Sequence, residues 1–287
     1  MRIRPANEDD LLPLARIFVR TVAHLDQRFR PDHTRVPIEP ESRLPVYRHL
    51  LRTGAMFVAE DPGPLGFSAA IVRDGVWFLS QLWVLPERHG EGVGAALLDE
   101  ALAWGRGAGA GAFSVVASPH PAAVTLYLRA SMFPLWLQYD LEGTVAPPIP
   151  EPPPGTDPLG DDDQPWLDEL DRAVHGAARP EDHALFRAEA AGLALRRDGH
   201  PRGYVYAWPG GKVGPGAVRE PADLPDLLRA ARHAAGGPIM VAVPSTNWTA
   251  LRELLGLGLT PAMTNTFLAS RPMGDGARYL SSGGALG

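Results

Sequence analysis

The chain contains no cysteine, which excludes disulfides, thiolate metal sites and a cysteine nucleophile together. Lysine occurs once, at Lys212, among 27 Lys and Arg residues, so a Schiff-base route would have to use that one side chain. No apolar run reaches the roughly 18 residues of a membrane helix. The opening MRIRPANEDD carries no leader-type apolar segment, and the expectation is a soluble, cytoplasmic chain without a membrane partner. None of the nine histidines has another three to five positions away, so helical metal clips are missing and no metal is expected. The G-x-S-x-G elbow of a serine hydrolase is also absent, and Ser281–Gly284 reads as a loose tail. Net charge is −6, which disfavours gripping a nucleic-acid backbone over a broad face.

What is present points to two domains. The 287 residues are about twice a common domain length, with an ordinary globular composition of 45% apolar and 21% charged residues. In Ala146–Gly155, APPIPEPPPG, six of ten residues are proline, a composition that extends as a spacer and cannot enter a ladder. Asp161–Asp163 reads as its solvated end. The expected division is therefore a first domain over 1–145, a linker over 146–163 and a second domain over 164–287.

Periodicity predicts a strand at Arg2–Arg4, a helix over Asp9–Ala23 behind the capping cluster Asn7-Glu8-Asp9, a loop over His24–Pro40, and a helix at Glu41–Leu51. Strands follow at Ala55–Glu60, Gly66–Arg73 and Val76–Leu85, the last two joined by the tight-turn pair Asp74-Gly75. A helix over Val93–Arg106, a strand at Ala112–Ala117, a helix at Ala122–Ala130 and a strand at Pro134–Leu141 complete the first domain. The fold class is α/β with a mixed, mostly antiparallel sheet flanked by helices (α+β in its segregation of hairpins). The order returns in the second domain. Strands Gly192–Arg197, Gly203–Trp208 and Lys212–Val218 precede helix Leu224–Ala234, strand Pro238–Val243, helix Trp248–Leu255 and strand Pro261–Ser270, as in an internal duplication.

The chemistry concentrates in residues 76–98, VWFLSQLWVLPERHGEGVGAALL. A strand ends at Leu85 and is stopped by Pro86, and Gly90, Gly92 and Gly94 are spaced by one residue each where the helix from about Val93 begins. Glycines at that spacing let successive amides converge, and the helix start adds unfilled donors and a positive dipole end, so a phosphate or pyrophosphate is the natural guest. The alternative is a merely flexible glycine turn. Gly90 to Ala95 also fits the G-x-G-x-x-A of dinucleotide folds, but Pro86–His89 separates strand from glycine and the next strand ends in Ala117–His120 without the ribose-binding acid.

Aligned on Val84, Pro86, Gly92 and Gly94, this segment resembles the pyrophosphate motif V-x-P-x-x-(Q/R)-x-x-G-x-(G/A) of the GNAT superfamily of N-acyltransferases, with His89 in the Gln/Arg slot and Arg88 beside it. Downstream, Ala123, Leu126 and Tyr127 keep the family's N-x-x-A-x-x-L-Y-x-x-x-G-F, with His120 in the Asn place and Ser131-Met132 where Gly-Phe is usual. The resemblance covers about residues 1–142 and implies two tandem GNAT-like domains with acetyl-CoA as co-substrate. It implies coenzyme contacts from Leu82, Trp83, Val84, Arg88, His89, Gly90, Glu91, Gly92, Val93, Gly94, Ala95 and His120, with a backbone N–H near Val84 polarising the thioester carbonyl. Tyr127 fits the role of proton donor to a departing thiolate, since a phenol stays protonated at neutral pH; the other reading is a core aromatic beside Leu126. Without cysteine, direct transfer in a ternary complex is favoured over an acyl-enzyme.

Glu60, Glu87, His24 and His33 are candidates for the general base, and the pattern selects none of them. In the second half, Pro221, Pro225, Asp223 and Asp226 replace the glycine loop, the two aspartates being expected to fill the helix-start donors, and Leu254 takes the tyrosine slot. That half keeps Asn247, Ala250 and Gly258 of the second motif and reads as degenerate, with a tail including Tyr279 able to reach the first domain. The acceptor is expected to be a small-molecule amine, with a protein amine as alternative, and the negative chain mildly favours a cationic one. The expected state is monomer or homodimer. A non-catalytic acyl-CoA-binding or regulatory module is the competing reading.

Overall fold

The computed structural model describes residues 1–31, 37–145, 148–149 and 151–286, in two compact units. The first comprises Met1–Val115 and Pro121–Met132, and the second Val116–His120 and Phe133–Gly287.

In the first unit, β1 (Arg2–Pro5) leads through a 3-10 turn at Glu8–Asp10 into α1 (Leu11–Phe29). Asn7 and Asp10 form a reciprocal capping box at that turn, which explains a helix start two residues later than predicted. At its other end α1 runs six residues past the expected stop, so His24 stands on the helix instead of in a loop. A 3-10 turn at Pro40–Arg43 opens α2 (Leu44–Thr53), followed by β2 (Ala55–Glu60), β3 (Pro64–Arg73) and β4 (Val76–Val84). Asp74 and Gly75 both take positive φ, 45° and 73°, as a type I′ hairpin turn demands. Then come α3 (Val93–Gly107), β5 (Ala112–Ala117) and α4 (Pro121–Arg129). Strands β1 to β4 pair antiparallel in chain order, and β5 joins β4 in parallel. Buried Tyr47, Val58, Phe67, Ile71, Trp77 and Leu97 belong to the core. Gly105 lets α3 lie hard on the sheet, because a Cβ there would meet Trp77 Cδ1 at 2.2 Å.

The second unit begins with β6 (Phe133–Gly143), which the sequence reading assigned to the first domain. Its ladders run antiparallel to β11 (Ile239–Pro244) on one edge and β12 (Thr260–Ala269) on the other, so compactness does not follow the covalent boundary at 146. The expected linker is corrected as well. Thr156–Pro158 forms β7 against β8 (Ala191–Arg197), and buried Asp163 closes the turn at Asp161–Asp163 by pairing with Arg196 and accepting from Gly160 N. Ala146, Pro147 and Pro150 of the spacer lie outside the described residues.

Two helices absent from the sequence reading, α5 (Gln164–Val174) and α6 (Pro180–Glu189), precede β8. After β8 come β9 (His200–Ala207), β10 (Lys212–Val218), α7 (Leu224–Ala235), β11, α8 (Trp248–Gly256) and β12, with β13 (Tyr279–Leu280) near the end. Strands β7 to β10 pair antiparallel and β11 joins β10 in parallel, the same order as β1 to β5. The duplication therefore starts at β7, earlier than periodicity indicated. Leu141, Val205, Leu227, Val241 and Leu254 lie in one apolar cluster of this unit.

Candidate active site

The site of the first unit grows from a defect in its sheet. Strand β4 pairs with β5 only from Val76 to Leu79, and a bulge opposite Ala69/Ala70 places Ser80 out of register. Bulges bend a strand and end pairing. Beyond it, Leu85 N donates to Leu65 O at 2.9 Å, which fixes the phase of the ladder. Alternation then turns the amide and carbonyl of Trp83 toward β3 and those of Leu82 and Val84 away from it. Among the described residues no strand pairs with that outer edge at Leu82–Val84. The sequence placed backbone contacts at all three positions; the ladder leaves Leu82 and Val84 for that role, while Trp83 offers its ring.

The glycine loop follows a 3-10 turn at Pro86–Arg88. Gly90 and Gly92 take φ of 85° and 84°, a region that costs other residues about 1–2 kcal/mol. Gly92 is the N-cap of α3, no side chain caps it, and the first helical bond is Ala96 N to Gly92 O. The amides of Val93, Gly94 and Ala95 are therefore the unfilled donors of that helix start. A Cβ on Gly94 would come 3.7 Å from Val84 Cγ2 and 4.0 Å from Leu126 Cδ2, which sets α4 beside the loop. Val93 buries its side chain, whereas Gly90, Glu91 and Gly92 are exposed.

The charged candidates are placed as follows. Arg88 pairs with Glu91 at 2.9 Å. His89 Nε2 donates to Val84 O at 2.9 Å and its ring lies 6.1 Å from that of His24, so His89 braces the loop against the end of β4. Thr21 Oγ1, which sequence reasoning missed, reaches the same carbonyl at 3.4 Å. Glu60 is held by Arg4 at 2.9 Å and Glu87 by Arg20 at 2.9 Å, which ties both carboxylates into ion pairs. His33 lies outside the described residues. His120, half-buried between β5 and α4, groups with the second unit.

Tyr127 is 5% exposed, and burial alone drives its hydroxyl pKa up. Its carbonyl accepts from Met132 N at 3.0 Å across Ser131, whose φ of 60° is the left-handed conformation that glycine supplies in the family pattern. Met132 is fully buried in the aromatic slot.

The equivalent place in the second unit is filled by its own chain. Strand β10 meets β11 in parallel only at Lys212 and Val213. Past that point β13 pairs antiparallel with Gly216 and Ala217, and Ser281 N donates to Ala242 O of β11 at 2.9 Å. Asn247 caps α8 through Ala250 N and donates to Tyr279 O at 2.9 Å, which locks the tail in place. The tail thus belongs inside the second unit. Asp223 makes no cap bond, contrary to expectation; it pairs with Arg197 and Arg202 at 3.1 and 3.0 Å, and Asp226 pairs with Arg197. A small cleft in this unit is walled by Trp136, Gln138, His175, Phe267 and Tyr279 without a lysine or arginine.

Residues 21–132 match the acetyltransferase (GNAT) family. That segment is similar to a GNAT domain. Over the whole chain the fold resembles a candidate acetyltransferase from Pyrococcus horikoshii, at TM-score 0.79 and 17% identity, covering 97% of this chain and 92% of that one. A GCN5-related N-acetyltransferase from Sphaerobacter thermophilus aligns at TM-score 0.65 and 17% identity over 96% of this chain and 98% of the other. A tandem GNAT protein from the clavulanic acid biosynthesis pathway aligns at 0.62 and 17% over 94% and 99%. At such identities the likeness is one of fold, a fold shared with a tandem GNAT protein. No curated protein matches the chain. Among the described residues no cluster of three or more histidines and carboxylates is arranged to hold a metal, and no helix is long and apolar enough to cross a membrane.

Proposed function

We propose that the chain is an acetyl-CoA-dependent N-acetyltransferase with one coenzyme site, in the first unit, and direct transfer to a primary amine in a ternary complex. The observation that carries this reading is the juxtaposition of an uncapped helix start at Gly92–Ala95 with the unpaired outer edge of β4 at Leu82 and Val84. The loop suits a diphosphate: its amides are unfilled, and Gly92 and Gly94 bring no Cβ against an incoming group. The groups left on that edge, both of Leu82 and the Val84 N–H, suit the amides of a pantetheine arm, as an added strand would pair with them.

Acetyl-CoA supplies an activated acetyl thioester; the chain supplies position and proton control. Val84 N–H on the outer edge is the donor to the thioester oxygen. Tyr127 holds its phenolic proton because burial disfavours the phenolate, and it delivers that proton to the departing sulfur. His89 fixes the Val84 carbonyl and with it the end of the strand. The decisive assay is thiol release from acetyl-CoA on adding amines, to which a cysteine-free chain contributes no background. Amine-dependent release is expected. Tight coenzyme binding with no release for any amine would favour a binding or regulatory module instead.

A further inference from the structure

Adjacent side chains on a strand leave by opposite faces of the sheet. Val84 faces α3, to judge from its Cγ2 beside Gly94. Trp83 therefore faces the other side, where its ring meets Phe18 of α1 edge-on at 5.1 Å and its Nε1 donates to Gln81 Oε1 at 2.6 Å. With the proposed coenzyme on the α3 side, the face toward α1 and α2 is the one left to an acceptor. On that side the Arg43 guanidinium lies 5.0 Å over Phe18. Its Nε is buried without a partner, and among the described residues no carboxylate pairs with it. The buried Arg30 and Arg179, by contrast, hold Asp26 and Asp171. One turn on, the Tyr47 hydroxyl is also buried and unpartnered. Burial lowers the Arg43 pKa and raises that of Tyr47, as expected of two desolvated donors awaiting an acceptor.

We propose that Arg43 is the acceptor-recognition residue and that the amine it selects carries a free carboxylate, as an amino acid does. The assignment rests on the acetyl-transfer reading above. A guanidinium with an open fork takes a carboxylate bidentately, the Tyr47 hydroxyl adds a third donor, and the flanking Phe18 ring steadies the cation. A half-buried cation with no counter-ion costs the free protein stability, and a ligand carboxylate removes that cost.

The test compares thiol release from acetyl-CoA for the common L-amino acids and their α-carboxamides, at equal concentrations of neutral amine, with wild type, Arg43→Gln and Arg43→Lys. Coenzyme A affinity is measured in parallel by calorimetry. At least one free acid is expected to exceed its amide by about tenfold or more in kcat/KM, chiefly through KM. That ratio falls toward one in Arg43→Gln and partly returns in Arg43→Lys. Arg43→Gln should unfold at the same or a higher temperature, since it removes an uncompensated charge. Amides used as well as acids, an Arg43→Gln that lowers both alike, or coenzyme A binding without turnover of any acid would each overturn the assignment and leave the coenzyme site standing. Failure to bind coenzyme A overturns the acetyl-transfer reading itself.

Discussion

Tyr127 gains its chemistry from its surroundings. Nothing but burial shifts its hydroxyl, and burial shifts it upward, so the group remains a donor throughout the neutral and mildly alkaline range. Tyr127→Phe is expected to lower kcat by about 100-fold, within the usual span for a general acid, with acetyl-CoA affinity nearly unchanged. An unchanged kcat removes Tyr127 from the mechanism. His175 shows the opposite case in the second unit. Desolvation, aided by the Arg179 charge, pushes its pKa down to about 3 from an ordinary 6.5. As pH falls from 6.5 toward 3, the unfolded chain binds a proton that the native one refuses, so stability falls across that window by up to ~1.4 kcal/mol per pH unit. Urea unfolding of His175→Gln should show a flatter acid slope; a slope equal to wild type would contradict the assignment. The places of Tyr127 on α4 and of His89 just before the glycines are legible in the motif spacing. Arg43 and Thr21 were not readable, because the meaning of Arg43 is a missing counter-ion and that of Thr21 a distant carbonyl. Neither leaves a trace in local pattern.

The glycine loop and α3 form the element whose sequence and function coincide most closely. Gly92 must hold φ of 84°, whereas Gly94 is an ordinary second helical residue where a Cβ would make only van der Waals contact with Val84 and Leu126. The two positions should separate in stability. Gly92→Asp is expected to destabilise by about 1 kcal/mol through its backbone. Gly94→Asp should be neutral or stabilising, because a carboxylate in the first turn suits the helix dipole. Thermal unfolding of both variants decides this, and equal losses would refute the assigned cap. Strands β2, β5 and β10 lie exactly where alternation and turn residues put them. The errors gather where distant pairing overrides local character. The acidic run ending in Asp163 looks solvated, yet Asp163 is buried through Arg196 of β8. Thr156–Pro158 sits beside a proline spacer and still pairs as β7. Missing that strand hid the helices α5 and α6 as members of the repeat.

At the scale of the whole molecule, one architecture occurs twice and one copy is closed. Both units bring a fourth strand to a fifth in parallel and then part them. The first leaves the parted edge open beside a glycine loop; the second seals it with β13 and replaces the glycines by Pro221, Asp223 and Pro225. The loss of the glycine loop from the second copy is legible in those prolines, but the sealing strand is not, because Tyr279–Leu280 carry no strand-length signal of their own. The direct measurement is a calorimetric titration of acetyl-CoA into wild type and Gly94→Asp. One site per chain is predicted for wild type, with affinity at least about tenfold weaker in the variant, since an aspartate there opposes a diphosphate. Two sites per chain, or a Gly94→Asp that binds as tightly as wild type, would contradict the account.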